Sequence, residues 1–208
     1  MKLSKKTLTL IIVFITAIML VGCDNKKDSL ENQVEVENEV SLGTWEGNTY
    51  SNDFFEIKYN MPDGWSYLSN NDLAKLMDLN FEAYENIDEY TKEVTKQITI
   101  YHFSANNPET GDTVQLISEN TLKDLTEDYY ISALKDEFSN MEAVKYEIIE
   151  TNTETLGKYI YKSVLIKAVD YDIYQKIYVR KIGKYFINIL ITSNTGLDTI
   201  SEIVKSFE

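Results

Sequence analysis

Apolar residues keep three different spacings along this chain, and each spacing predicts a different kind of element. From residue 8 to residue 21 no position is charged and nearly all are apolar, behind a short segment holding Lys2, Lys5 and Lys6. A positive start, a brief apolar run and small residues before Cys23 predict a secretory signal peptide over residues 1–22. The run is at the short end for crossing about 30 Å of hydrocarbon, so removal fits better than retention as a span. Residues 23–43 then read as an acidic tether. Val34, Val36 and Val40 alternate with polar residues as a strand would, but the acids around them and the scarcity of large hydrophobes predict a solvated linker. Twenty flexible residues would hold a domain roughly 25 Å from its anchor on average.

From Thr44 to the end, residues 44–208, the pattern becomes that of one folded domain. Residues 48–51 and 54–60 alternate as short strands, with Phe55, Ile57 and Tyr59 on one face. Met61-Pro62-Asp63-Gly64-Trp65 is turn chemistry. Trp65 is expected to cover a core edge where the early strands meet the next helix. Asn71 is expected to cap that helix, in which Leu73, Leu76, Met77, Phe81 and Tyr84 recur at helical spacing without a proline or glycine to end it. Residues 97–103 and 113–117 read as strands around the loop Asn106-Asn107-Pro108-Glu109-Thr110-Gly111-Asp112. Thr126 caps a helix whose buried stripe is Tyr130, Leu134, Phe138 and Met141. Strand patterns follow at 144–150, 158–169, 173–181 and 184–192, with tight connections at Asp170-Tyr171-Asp172 and Lys181-Ile182-Gly183-Lys184. A last helix, about 196–207, is assigned Thr195 as its cap and Leu197, Ile200, Ile203, Val204 and Phe207 as its apolar face.

Short connections predict antiparallel pairing. Ile187, Ile189 and Ile191 line one face of the last strand, and Phe186 and Leu190 line the other. A strand apolar on both sides requires cover on both sides. The expected fold class is therefore α+β, an antiparallel sheet flanked by helices.

Charge changes the picture of possible partners. Residues 1–22 carry three lysines and no acid, so their removal takes the formal charge from −14 to −17. A body this acidic makes nucleic acid and anionic head groups poor direct partners. Cys23 is the only cysteine, so no internal disulfide forms and the core must hold the domain by itself. Arg180 is the only arginine, and lysine, isoleucine and asparagine are favoured, a bias that points to an AT-rich, low-GC Gram-positive source.

Leu20-Val21-Gly22-Cys23 resembles the lipobox of bacterial lipoproteins, which implies a diacylglyceryl group on Cys23 and an extracytoplasmic protein anchored to the cell membrane. Two acyl chains hold a protein stably where one does so only marginally. Gly43-Thr44-Trp45-Glu46-Gly47-Asn48-Thr49-Tyr50-Ser51-Asn52, Pro62-Asp63-Gly64-Trp65, Thr126-Glu127-Asp128-Tyr129-Tyr130 and Gln175-Lys176-Ile177-Tyr178-Val179-Arg180-Lys181 are similar to stretches of small lipoproteins of low-GC Gram-positive bacteria with PsbP-like domains. The resemblance implies an α/β/α sandwich and a docking role without catalysis. It carries over no catalytic residue.

Candidate chemistry is sparse. His102 is the only histidine, between Tyr101 and Phe103 in a strand pattern, where it reads as a packed core residue. One histidine and no second cysteine leave little to hold zinc or a redox metal, so no cofactor or metal is expected. Glycine-rich phosphate loops and nucleophile elbows are absent. Asp170 with Asp172, or Glu109 with Asp112, offer oxygens to calcium but lack the spacing of a calcium loop and read as turn residues. Tyr159, Tyr161, Tyr171, Tyr174, Tyr178 and Tyr185 read first as sheet packing and second as a binding face. The expected function is a non-catalytic binding or scaffolding domain with an envelope protein or polysaccharide as its partner. The alternatives are an envelope hydrolase using a carboxylate pair, and a transporter's solute-binding subunit, for which the domain lacks the usual two lobes and length.

Overall fold

The computed structural model describes residues 40–79, 87–121 and 124–208. Strands β1 (Thr44–Glu46), β2 (Thr49–Asn52) and β3 (Ile57–Asn60) form a small antiparallel sheet in sequence order. Strands β4 (Ser66–Tyr67), β5 (Thr99–Asn106), β6 (Thr113–Asn120), β7 (Tyr146–Leu156), β8 (Tyr159–Ala168), β9 (Ile173–Ile182) and β10 (Tyr185–Ser193) form a seven-stranded sheet. Its order is β4-β5-β6-β10-β9-β8-β7, antiparallel throughout. The helices among the described residues are α1 (Asn70–Leu76), α2 (Ile87–Val94), α3 (Glu127–Asn140) and α4 (Leu197–Val204). This is the α+β class that the pattern predicts.

The central strand shows why both faces are covered. All of β10 is buried. Phe186 and Leu190 point to α3, where they meet Tyr130, Ile131, Leu134 and Phe138 together with Val164, Ile166, Ile177 and Val179. Ile187, Ile189 and Ile191 point the other way, into a larger core closed by Tyr50, Phe55 and Tyr59 of the small sheet and its turn, and by Ile200 and Ile203 of α4. The α3 helix sits as expected: Thr126 accepts a hydrogen bond from the Tyr129 amide at 3.2 Å, satisfying one of the otherwise unpaired first-turn amides.

Several local expectations are corrected. The cap of α1 is Ser69, not Asn71, with its hydroxyl accepting from the Asp72 amide at 3.3 Å. The helix ends at Leu76 because Asp78 takes φ 56°, and the amides of Asp78 and Leu79 turn back to the carbonyls of Lys75 and Ala74 at 3.3 and 2.9 Å. That is a Schellman closure, with aspartate in the left-handed position usually held by glycine. Phe81 and Tyr84 of the expected helical stripe lie outside the described residues. Thr195 does not cap α4. Gly196 occupies that position without a side-chain bond, while the Thr195 hydroxyl pairs with Thr199 at 2.6 Å. Phe207 lies past the end of α4 and bridges Tyr59. Phe54 to Glu56 form a turn rather than the start of a strand, with Glu56 at φ 55°.

Polar residues 151–155 lie beyond the expected strand at 144–150, yet they continue β7, paired residue for residue from Thr151 opposite Val164 to Leu156 opposite Tyr159. Gly157 makes this hairpin possible. Its φ is 58°, and a Cβ there would lie 2.7 Å from the backbone of Glu208.

Trp65 is half-buried and packs against the large core from its rim. Trp65→Ala is expected to cost about 1–3 kcal/mol, less than the loss of a fully buried aromatic. A urea melt that overlays the parent would show that the indole contributes no packing.

Candidate functional site

A concavity opens beside β5 next to the two-residue strand β4. β4 pairs only at Ser66 with Asn106 and Tyr67 with Ala105. The cleft has a volume of about 630 Å³, within the size range of small-molecule sites. Its walls are the segment from Ser41 to Trp45, the stretch from Tyr67 to Asn70, Tyr90 and Thr91 of α2, and Tyr101 and His102 of β5.

Each wall is held from behind. Asn52, 1% exposed, donates from Nδ2 to the Ser41 carbonyl at 2.8 Å, and the Tyr50 hydroxyl donates to the Leu42 carbonyl at 2.7 Å. Gly43 lets the segment pass so closely: its φ is 73°, and a Cβ there would meet the Tyr50 hydroxyl and lie 2.7 Å from the Ser51 carbonyl. Val40, just before it, is 4% exposed in the large core. The last residues of the expected tether region therefore lie against the domain. The Tyr90 hydroxyl donates to the Asn70 carbonyl at 3.3 Å, tying α2 to the start of α1. Trp45 stacks on Tyr67 at 4.2 Å and 4°, with Tyr50 and Phe103 against its edges at 5.4 and 5.5 Å.

His102 is the extra residue of a β-bulge, since Tyr101 pairs with Ile117 and Phe103 with the adjacent Leu116. The bulge turns the ring inward against Phe55 at 5.0 Å and places Nε2 2.8 Å from the Ser118 hydroxyl. Burial lowers its pKa to about 3, weakly opposed by the Leu42 backbone, so the ring is neutral at ordinary pH. A serine beside a histidine invites comparison with a nucleophile and its base. Ser118 is 0% exposed, and no carboxylate hydrogen-bonds to the imidazole Nδ1 among the described residues. The pair fastens β5 to β6.

The other candidates are structural where they are described. Asp112 accepts from the Asn194 amide at 2.7 Å and the Thr110 hydroxyl at 2.5 Å, joining two loops, while Glu109 stays exposed. Asp172 pairs with Lys167 at 2.7 Å, and Asp170 is exposed. No three potential metal-binding side chains converge among the described residues. Tyr161, Tyr178 and Tyr185 are buried, and Tyr159 lies under the Arg180 guanidinium at 4.0 Å, so the C-terminal tyrosines mainly pack the sheet. On the α3 face, Glu119 is 2% exposed and accepts from the Tyr130 hydroxyl at 2.9 Å, which in turn accepts from Asn188 at 2.8 Å. Burial raises its pKa to about 7, with Glu137 adding to the effect and Tyr130 opposing it. Glu119 does not line the cleft.

Among the described residues, no aspartate, glutamate, lysine or arginine lines the cleft. Its aromatics are Trp45, Tyr50, Tyr67, Tyr90 and Tyr101, whereas the sequence drew attention to the tyrosines of the last strands. The one hint was Trp45 between Gly43 and Gly47, a large aromatic in a turn-rich segment.

No protein-family model matches this chain, and no curated protein matches it. Among solved structures, the chain is similar to the cyanobacterial PsbP (CyanoP) from Synechocystis sp. PCC 6803, at 11% identity and a TM-score of 0.45, over 80% of this chain and 98% of that one. It is also similar to a crystal structure from Bacteroides thetaiotaomicron, at 11% identity and a TM-score of 0.40 over 79% of this chain. The match covers 48% of that second chain, so this one spans about half its length.

Proposed function

We propose that this chain is an extracytoplasmic lipoprotein, anchored to the cell membrane through diacylglyceryl-Cys23, whose PsbP-like domain binds a partner without catalysis. The observation that carries the anchoring is the order of Lys2, Lys5 and Lys6, an uncharged apolar run over residues 8–21, and Leu20-Val21-Gly22-Cys23. Cys23 lies outside the described residues. No helix among the described residues is long and apolar enough to cross a membrane. The binding reading is supported by a cleft lined by aromatic, leucine and hydroxyl-bearing residues. The carboxylate-pair alternative finds no support there, because general acid–base work on a glycoside needs two acids facing one space and none of the described residues lining this one is an acid.

The anchoring test is Cys23→Ala. The parent is expected in the membrane fraction with incorporated fatty-acid label. The variant is expected unlabelled, either released or retained as the unprocessed precursor. Normal processing and labelling of the variant would refute the assignment.

A further inference from the structure

We propose that the cleft takes a neutral saccharide, stacked on the outward face of Tyr67. This rests on the reading of the domain as a binding module and adds the class of ligand.

The lining selects by exclusion and by fit. The described lining residues carry no charged side chain, so they offer no counter-charge to an anion or cation that would have to shed its water. Leu42, Leu68 and Leu73 add apolar area, but an acyl chain would strip water from the exposed Thr44 hydroxyl and give it no partner in return. A neutral sugar ring presents an apolar C–H face and a rim of hydroxyls, and the cleft presents aromatic surface and a rim of hydroxyls. Tyr67 is the aromatic with open surface, 43% exposed. Its inner face is held against Trp45 at 4.2 Å and nearly parallel, and Trp45 is itself wedged by Tyr50, Tyr59 and Phe103. The platform is rigid before anything binds, so stacking on it costs little ordering.

The experiment uses the full lipidated chain in a zwitterionic detergent that contains no sugar. Trp65→Phe leaves Trp45 as the only tryptophan and hence a reporter within the cleft. Maltotriose, cellotriose and chitotriose are titrated separately, with a neutral alanine–threonine pentapeptide as the competing class. At least one trisaccharide is expected to change the Trp45 emission saturably, with a Kd between about 10 µM and 1 mM. Tyr67→Ala should weaken binding at least about tenfold, and Tyr67→Phe, which keeps the ring, should restore it. Retained binding in Tyr67→Ala would overturn the proposal, as would silence toward all three trisaccharides up to about 10 mM. A response to the pentapeptide alone would also overturn it, while leaving the binding-module reading intact. A silent cleft with both classes would remove the support that the cleft gives that reading.

Discussion

Phe103→Ala is expected to cost about 3–5 kcal/mol, a large part of the roughly 5–15 kcal/mol that holds an ordinary domain together. Phe103 is 1% exposed, and four rings depend on its position. Tyr59 stacks on it at 5.2 Å and 8°, Tyr50 tilts against it at 4.7 Å, and Trp45 meets it edge-on at 5.5 Å. Through Trp45 it also supports Tyr67. Truncation would leave a cavity where the small sheet meets the large one, and neither sheet can close the gap without breaking its ladder. Phe103→Leu should recover much of the loss. Urea midpoints for the two variants and the parent provide the measure. A Phe103→Ala loss below about 1 kcal/mol would mean that the two sheets are not held together here.

Glu119→Gln is expected to stabilise the protein at pH 8 by about 3 kcal/mol and to leave it unchanged near pH 4. Burial raises this carboxyl from 4.5 to about 7, so the folded state keeps a proton that the unfolded state releases. Below pH 4.5 both states are protonated and Glu119 costs nothing. Between pH 4.5 and 7 its penalty grows, and above 7 it is constant. Glutamine keeps an acceptor for the Tyr130 hydroxyl and cannot ionise. His102 acts in the opposite sense: lowered from 6.5 to about 3, it makes the folded state less stable as pH falls below 6.5. The two slopes therefore oppose each other between pH 4.5 and 6.5, and the parent should look nearly flat there with respect to this pair. The difference between Glu119→Gln and the parent removes the histidine contribution, because both proteins carry it. If that difference does not grow between pH 5 and 8, Glu119 is not the buried acid described.

The short-range features were legible in the sequence because their causes are short-range. The two-sided apolar pattern of Phe186 to Ile191 required a central strand, Thr126 required a helix start, and Gly183 beside Lys184 allowed a hairpin. The polar run at 151–155 concealed a strand because an edge strand draws its order from the neighbour it pairs with, not from its own burial. The end of α1 was hidden because aspartate adopts positive φ less readily than glycine, and the Schellman bonds to Ala74 and Lys75 support it there. His102 turns into the core because one extra residue in β5 breaks the alternation of faces, which only the pairing with β6 reveals. The cleft was the least legible of all. Trp45, Tyr67, Tyr90 and Tyr101 belong to separate elements with no common period, and what brings them together is the closing of the small sheet and two helices over an edge that β4 leaves bare.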